Sequence, residues 1–248
     1  MDRPSELNRR EWNSPDVVAV YASRTVTAPP PPSSTQPPAA ATPRPHPMDD
    51  LLPADLTGLR VLEVACAGGG YARKLAGRGA SVVAMDISEG LVDIARAHEQ
   101  RAPLGITYGV HDLMRPLPTA LGPFDAAVSI MTVMDVEDPL AAVRHLARAV
   151  RPGGLLAFSL PHPGFHVEVT QGEWGWGVDL PSYFDRTRTR RRVIAARDGS
   201  GRTAAYTQFH RTLGDYLGAL TEERFCLERF VELPDSTLLI GARRHASS

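Results

Sequence analysis

The chain has 248 residues, 43% of them hydrophobic, enough for one domain of ordinary size with its own core. Its 27 Lys and Arg nearly cancel 28 Asp and Glu, so charge gives no reason to expect nucleic acid or an anionic membrane as partner. No apolar run approaches the roughly 20 residues of a spanning helix, and the opening MDRPSELNRREW lacks the apolar core of a signal peptide. A soluble, cytoplasmic protein is expected. Two distant thiols, Cys66 and Cys226, make neither a disulfide framework nor a zinc site.

Residues 1–27 are mixed in character. Asn13-Ser14-Pro15-Asp16 reads as a helix start, with Ser14 as cap and Pro15 in the first turn. Residues 28–47 hold nine of the 22 prolines. Proline fixes φ and lacks a donor, so this stretch is read as an extended linker or strap, with a PxxP ligand as the alternative. From Leu59 onward the pattern becomes regular. Arg60–Ala65, Ser81–Met85, Ile106–Val110, Phe124–Ile130 and Leu155–Leu160 read as strands. Between them lie helical stretches at Tyr71–Arg78, after Ser88, and from Asp138 to a stop at Arg151-Pro152-Gly153-Gly154. Strand and helix alternating at this spacing predict a parallel sheet covered on both faces. Residues 162–185 have no clear period. Arg190–Ala196 and Thr203–Phe209 flank Asp198-Gly199-Ser200-Gly201 as a hairpin. A helix follows over Thr212–Phe225, with Thr212 and Asp215 as a capping box, then closing strands at Cys226–Leu233 and Thr237–Ala242.

The segment Val61-Leu62-Glu63-Val64-Ala65-Cys66-Ala67-Gly68-Gly69-Gly70-Tyr71 carries the most information. An apolar strand runs into a loop of very small residues and then a helix, so a ligand can lie directly against backbone and free N–H groups. Asp86 ends the next strand, placed to accept ribose hydroxyls, and Asp112 follows the third. A dinucleotide and an adenosyl sulfonium both suit such a crevice. The GxGxxG fingerprint is not met cleanly, because its third glycine falls on Arg73 or Ala72. Glu63 would also repel a pyrophosphate, whereas a carboxylate beside a sulfonium and an ammonium is favourable.

Val61–Gly69 resembles the first motif of the class I S-adenosylmethionine-dependent methyltransferases, commonly VLDxGCGxG. Phe124–Ser129 with Val136-Glu137-Asp138-Pro139 is similar to their fourth-strand segment, and Leu146–Leu156 to their LRPGGxL signature. His210-Arg211-Thr212-Leu213 through Phe225 resembles the HRTL…LxxAGF segment of a small-molecule branch. The resemblance implies an α/β, Rossmann-like doubly wound sheet, mostly parallel with an antiparallel last strand. It also implies a substrate-lid insert after the fifth strand, at about 162–209, within a methyltransferase domain spanning 48–248, and an N-terminal segment, 1–27, that helps cover the cofactor. The implied cofactor is S-adenosyl-L-methionine, leaving as S-adenosyl-L-homocysteine, and the implied activity is methyl transfer to O, N or C of a metabolite.

The same resemblance implies roles for particular residues. Glu63, Ala65, Ala67 and Gly69 lie by the methionine part, Asp86 holds the ribose, and Ile87 lies against the adenine. Asp112 meets the adenine amino group with Leu113 nearby. Ile130 lines the sulfonium side, and Tyr21, in a Tyr-Ala-Ser-Arg segment, closes over the cofactor. Two departures stand out. Ala65 and Ala67 occupy positions where glycine is usual, harmless unless φ must be positive. Met134-Asp135 stands where many relatives have two histidines.

Outside these motifs, His162 follows the fifth strand and is the first candidate general base, against a turn histidine that only packs. His166 and His210 are weaker candidates on the same ground. Trp174, Trp176 and Tyr183, with His162, are candidate substrate contacts; the aromatics form either a lid or a small satellite core. Arg186, Arg188, Arg190, Arg191 and Arg192 either draw in an anionic substrate or blunt a hairpin edge. No metal is expected. The partner is a small molecule, with no nucleic acid or membrane, and the assembly a monomer or homodimer. A fold that holds cofactor without transferring methyl is the main rival, and a nicotinamide-dependent oxidoreductase the lesser one.

Overall fold

The computed structural model describes residues 4–25, 46–165, 169–172, 175–178 and 180–246. The chain begins with α1 (Pro4–Trp12) and α2 (Pro15–Thr25). Ser14 Oγ accepts from Val17 N at 3.3 Å, as its position in the sequence suggests. Of the proline-rich 28–47 stretch, only His46 and Pro47 fall within the described residues, at the start of a short 3-10 turn, Pro47–Leu51. That turn buries Met48 and Leu51 against the sheet.

The regular alternation follows: β1 (Arg60–Val64), α3 (Gly70–Gly77), β2 (Ser81–Asp86), α4 (Glu89–Arg101), β3 (Thr107–Val110), β4 (Phe124–Ile130), α5 (Pro139–Ala149) and β5 (Val150–Pro161). The insert contains β6 (Val169–Gly172), β7 (Gly175–Val178), α6 (Leu180–Phe184) and the hairpin β8 (Thr189–Ala195) with β9 (Thr203–Phe209). The chain closes with α7 (Leu213–Glu222), β10 (Phe225–Glu232) and β11 (Thr237–Arg244). Thr212 and Asp215 do form the reciprocal box at the start of α7.

Seven strands make one sheet in the order β10-β11-β5-β4-β1-β2-β3. β1 to β5 run parallel, while β11 is antiparallel to both β5 and β10. This is the doubly wound, mostly parallel sheet with its last strand reversed that the sequence implies. Leu62 and Val64 face α5 and α7 with Val143, Leu146 and Tyr216; Val61 faces α3 with Ala72 and Leu75. Side chains alternate across each strand, so a strand apolar at every position can fill two cores.

A third, smaller core lies above the sheet edge. Val17 and Val20 of α2 pack on Ile194, Ala204 and Tyr206 of the β8–β9 hairpin. Glu11 Oε2 accepts from Thr207 N at 2.8 Å, and Arg191 pairs with Glu11. The N-terminal helices and the late hairpin therefore form one unit, although about 180 residues separate them in sequence.

The Arg151-Pro152-Gly153-Gly154 stop is more than a helix terminator. α5 ends at Ala149, and the chain turns at once into β5, which starts at Val150. The pairing with β4 shifts register between Phe124 and Ala126, so these residues form a bulge inside the strand. A Cβ on Gly154 would sit 2.7 Å from the Asp125 carbonyl oxygen and 2.5 Å from Val150 Cγ1. Gly153 has φ +75° but no atom nearer than 3.6 Å to its missing Cβ. We expect Gly154→Ala to cost about 1–3 kcal/mol through the forced backbone shift. Gly153→Ala should cost about 1 kcal/mol through strain alone. Urea unfolding of the two variants checks the order; the reverse order would contradict the bulge packing.

Candidate functional site

The C-terminal ends of β1, β2, β3 and β4 open onto one crevice of about 440 Å³. This is where a doubly wound sheet exposes strand ends at a reversal of strand order, here between β1 and β4. Its wall is the loop from Ala65 to Gly69. Ala65 has φ +56°, Ala67 φ +48° and Gly69 φ +81°. Three left-handed residues in five turn the chain sharply and bring its backbone to the crevice surface. Ala65 and Ala67 thus occupy the strained conformation in which a methyl group is not harmless; each costs about 1–2 kcal/mol relative to right-handed backbone. Gly69 does not line the crevice itself. It stands behind the loop, where a Cβ would lie 2.5 Å from the Tyr108 hydroxyl.

Asp86, at the end of β2, holds this loop. Its Oδ2 accepts from Ala67 N and its Oδ1 from Ser88 N, each at 2.9 Å. Two helix histidines pin neighbouring segments: His98 Nδ1 lies 3.3 Å from the Gly68 carbonyl, and His145 Nδ1 lies 2.8 Å from the Leu113 carbonyl.

Four buried carboxylates line the crevice: Glu63, Asp86, Asp112 and Asp135. Although Arg9 Nη2 lies 3.9 Å from Asp112 Oδ2 as an ion pair, among the described residues Glu63 Oε2 and Asp112 Oδ2 have no hydrogen-bond partner. Asn8 Oδ1 on α1 is a third buried acceptor without one. Such atoms normally find partners, and leaving one dry costs about 1–3 kcal/mol. Burial, reinforced by the nearby Asp86 charge, pushes the Glu63 carboxyl up to about 8. Burial likewise raises Asp86 to about 6, against the pull of backbone N–H groups from Ser88, Ala67 and Ile87. The crevice thus concentrates acceptors and carboxyl groups, which outnumber the guanidinium groups of Arg197 and Arg9 beside them.

Tyr21, Ile87, Leu113 and Ile130 also line it, so nine of the ten predicted cofactor positions converge, with Gly69 behind them. Asn8, Trp12, His46, Tyr71, His111, Met131, Asp135 and Arg197 join them without having been singled out as ligand contacts from the sequence. Trp12 packs on Tyr21 at 5.3 Å and on Tyr206 at 4.7 Å between ring centroids, tying the crevice roof to the hairpin. Asp135, in the turn after β4, is buried and accepts from Gln208 Nε2 at 2.8 Å. Burial holds its carboxyl well above the usual range despite that hydrogen bond and the Arg192 charge.

The comparisons with known proteins agree with this geometry. Residues 62–158 match the family model described as a methyltransferase domain. A solved structure from Mesorhizobium loti, titled an S-adenosylmethionine dependent methyltransferase, superposes with a TM-score of 0.63 at 27% identity, covering 79% of this chain and 95% of that one. Over residues 62–158 the chain is thus similar to the methyltransferase domain, on a fold shared with S-adenosylmethionine-dependent methyltransferases. Among curated proteins, the ubiquinone biosynthesis O-methyltransferase of Xanthomonas oryzae is 37% identical over 105 residues, 42% of this chain and 44% of that one. The chain thus spans less than half the length of the curated relatives it matches. The cyclase SpnF shares the fold alone, with a TM-score of 0.56 at 18% identity over 81% of this chain and 79% of that one.

The candidates outside the methyltransferase motifs scatter. His162 does not line the crevice. Its Nε2 lies 2.9 Å from Glu232 Oε1, its Nδ1 accepts from Gly164 N at 3.1 Å, and its ring stacks on Phe165. With both nitrogens engaged it behaves as the turn histidine of the alternative reading. His210 Nε2 lies 2.7 Å from the Tyr183 carbonyl, and the Tyr183 hydroxyl accepts from Leu213 N at 3.0 Å, so both serve the start of α7. His166 and Trp174 lie outside the described residues, as does the side chain of Trp176. Among the described residues no cluster could hold a metal, and no helix is long and apolar enough to cross a membrane.

A carboxyl whose folded pKa exceeds its ordinary 4.5 binds its proton more tightly in the folded state. Its contribution is present at low pH and fades as pH rises towards about 8. His46 and His111, both lowered from 6.5 by burial, oppose this only below 6.5. Between pH 6.5 and 8 the cofactor-free protein should therefore lose stability, by about 1 kcal/mol per pH unit for a carboxyl that ionises there, and Glu63→Gln should lessen the slope, with Asp135, also raised by burial, supplying the remainder. Urea titrations at three pH values check it; a slope unchanged by the substitution would contradict the assignment.

Proposed function

We propose that the protein transfers a methyl group from S-adenosyl-L-methionine to a small-molecule metabolite. The observation that carries this reading is the pair of dry carboxylate oxygens, on Glu63 and Asp112, in a crevice walled by left-handed backbone. A cationic ligand with a polar adenosine supplies the charge and donors that these atoms lack. A pyrophosphate-bearing dinucleotide would instead meet four carboxylates.

In this reading Glu63 and the Ala65–Gly69 loop hold the methionine part, whose charges favour ionised Glu63. Asp86 takes the ribose hydroxyls on lone pairs left over from its bonds to Ala67 and Ser88. Ile87 and Leu113 sandwich the adenine while Asp112 Oδ2 accepts its amino group. Ile130, Met131 and Thr132 border the sulfonium side, and Tyr21 with Trp12 roofs the crevice to exclude water. When bound, the cofactor supplies a methyl carbon whose bond to sulfur breaks as the acceptor's lone pair bonds to it, leaving S-adenosyl-L-homocysteine. The chain's own contribution is alignment and dryness, since an in-line displacement needs the reacting atoms held in register.

An acceptor hydroxyl must also lose a proton. Asp135, raised by burial and lining the crevice beside Ile130–Thr132, is better placed for that than His162. The name of the curated relatives favours oxygen as acceptor and a role in metabolite biosynthesis.

Titration calorimetry with S-adenosyl-L-homocysteine tests the reading. Wild type should bind, and Asp86→Ala should weaken binding about 100-fold, through two lost charge-assisted hydrogen bonds and a freed loop. Unchanged affinity would overturn it. Binding without turnover against any acceptor would leave a fold that only holds the cofactor.

A further inference from the structure

A second cavity, of about 580 Å³, lies under the β8–β9 hairpin beside the ends of β5 and β9. Its apolar lining includes Met134, Leu160, Phe165 and Phe209. Four guanidinium side chains also line it, from Arg188, Arg190, Arg191 and Arg211, together with His210. Among the described residues, no Asp or Glu does.

Not all of these charges are equally available. Arg191 is paired with Glu11 and bonded to Thr207 Oγ1 at 2.9 Å. Arg188 donates to the Ser182 carbonyl at 3.2 Å. Arg211 donates to the carbonyls of Arg186 and His210 at 2.9 and 2.7 Å, and reaches the Glu137 carbonyl at 3.5 Å. Three backbone carbonyls orient this guanidinium, yet no carboxylate among the described residues neutralises it. A half-buried cation fixed in this way, on the wall of a cavity of mixed polar and apolar lining, is a receptor for an anion.

The cavity adjoins the methyltransferase crevice. Asp135 lines the first space, while its neighbour Met134 and its hydrogen-bond partner Gln208 line the second. One side-chain pair, Asp135 with Gln208 at 2.8 Å, and the Met134 side chain stand between them. We propose that the second cavity is the acceptor site, and that it takes a small organic anion whose carboxylate or phosphate is held by Arg211 and whose apolar body points its nucleophile at the Asp135–Gln208 partition. This rests on the methyl-transfer reading for the crevice, but the anion site stands on its own contacts. The apolar part of the lining gives the body of an organic anion a surface to pack on, and the planar fork of Arg211 suits a two-oxygen head group.

The test uses the full chain loaded with S-adenosyl-L-homocysteine and three probes of one shape: 4-hydroxybenzoate, phenyl phosphate and neutral 4-hydroxybenzamide. Saturation-transfer NMR titration should show at least one anion binding about tenfold or more tightly than the amide, and the better anion identifies the head group. Arg211→Met should bring that anion down to the level of the amide while leaving S-adenosyl-L-homocysteine affinity within about twofold. Equal binding of all three probes to wild type would overturn the proposal without any variant, as would an anion preference that survives Arg211→Met. If the variant fails to fold, which loss of S-adenosyl-L-homocysteine binding would reveal, Arg211→Lys, which keeps the charge but not the fork, should weaken the preferred anion while leaving the amide unchanged, and an anion preference of wild-type size there would count against the site. Failure of wild type to bind S-adenosyl-L-homocysteine would strike the methyl-transfer reading instead, leaving the probe comparison to be read on the unloaded chain.

Discussion

Burying negative charge without a partner is the constraint on which this structure turns. Ionised carboxylates taken out of water are costly unless they are paired. Elsewhere in the chain that condition is met: Asp49 is surrounded by Lys74, Arg78, Tyr71 and the His46 N–H, and burial notwithstanding its carboxyl lies below the usual range. Glu63 sits one short helix away and has no such cations. It therefore drifts up to about 8 and is largely protonated in the folded chain at neutral pH. The contrast between two acids in one small region shows that Glu63 lacks a nearby cation because of where the surrounding residues are placed, and a cationic ligand would supply one.

The loop that frames these acids is held in a conformation its residues do not prefer. Two alanines at positive φ store strain, and the neighbouring elements must impose it. Asp86 does so through Ala67 N, Cys66 N donates to the Met85 carbonyl at 3.0 Å, and His98 holds Gly68 from the far side. Glycine would relieve the strain but would widen the range of loop shapes in the unfolded and folded chain alike. Alanine makes the cradle stiffer, and a stiff cradle loses less entropy when a ligand settles on it.

Most of the sheet and the crevice could be read from the sequence because both depend on local patterns. A strand that is apolar on both faces, a run of tiny residues and an acid at a strand end are contiguous signals, and they placed Glu63, Asp86 and Asp112 in one space. What escaped depends on contacts between distant segments. Asn8 and Trp12 lie one turn apart on α1, a helix whose short, mixed sequence carries little apolar periodicity. His46 was hidden in a proline-rich stretch, although its ring packs on Tyr71 at 5.1 Å. Asp135 stood out as a departure from a pair of histidines, and its neighbour Asp138 is spent capping α5 through Leu140 N and Ala141 N. His162 drew attention by following β5, a position that fixes where the backbone goes but not which way the ring turns; Glu232, on a strand from the far end of the chain, decides that.

The same long-range packing couples the two ends of the proposed reaction. Glu11 on α1 grips β9 at Thr207, and the next residue, Gln208, reaches down to Asp135 at the floor between the two cavities. Asn13, at the α1–α2 corner, donates to the Ile87 carbonyl at 3.3 Å and accepts from Glu89 N at 3.0 Å, so the same helices also clasp the end of β2. A ligand that orders Tyr21 and Trp12 over the crevice acts on helices that already hold the hairpin through Glu11 and the Trp12–Tyr206 contact. Filling the first cavity therefore stiffens the roof of the second, which favours binding the methyl donor before the acceptor.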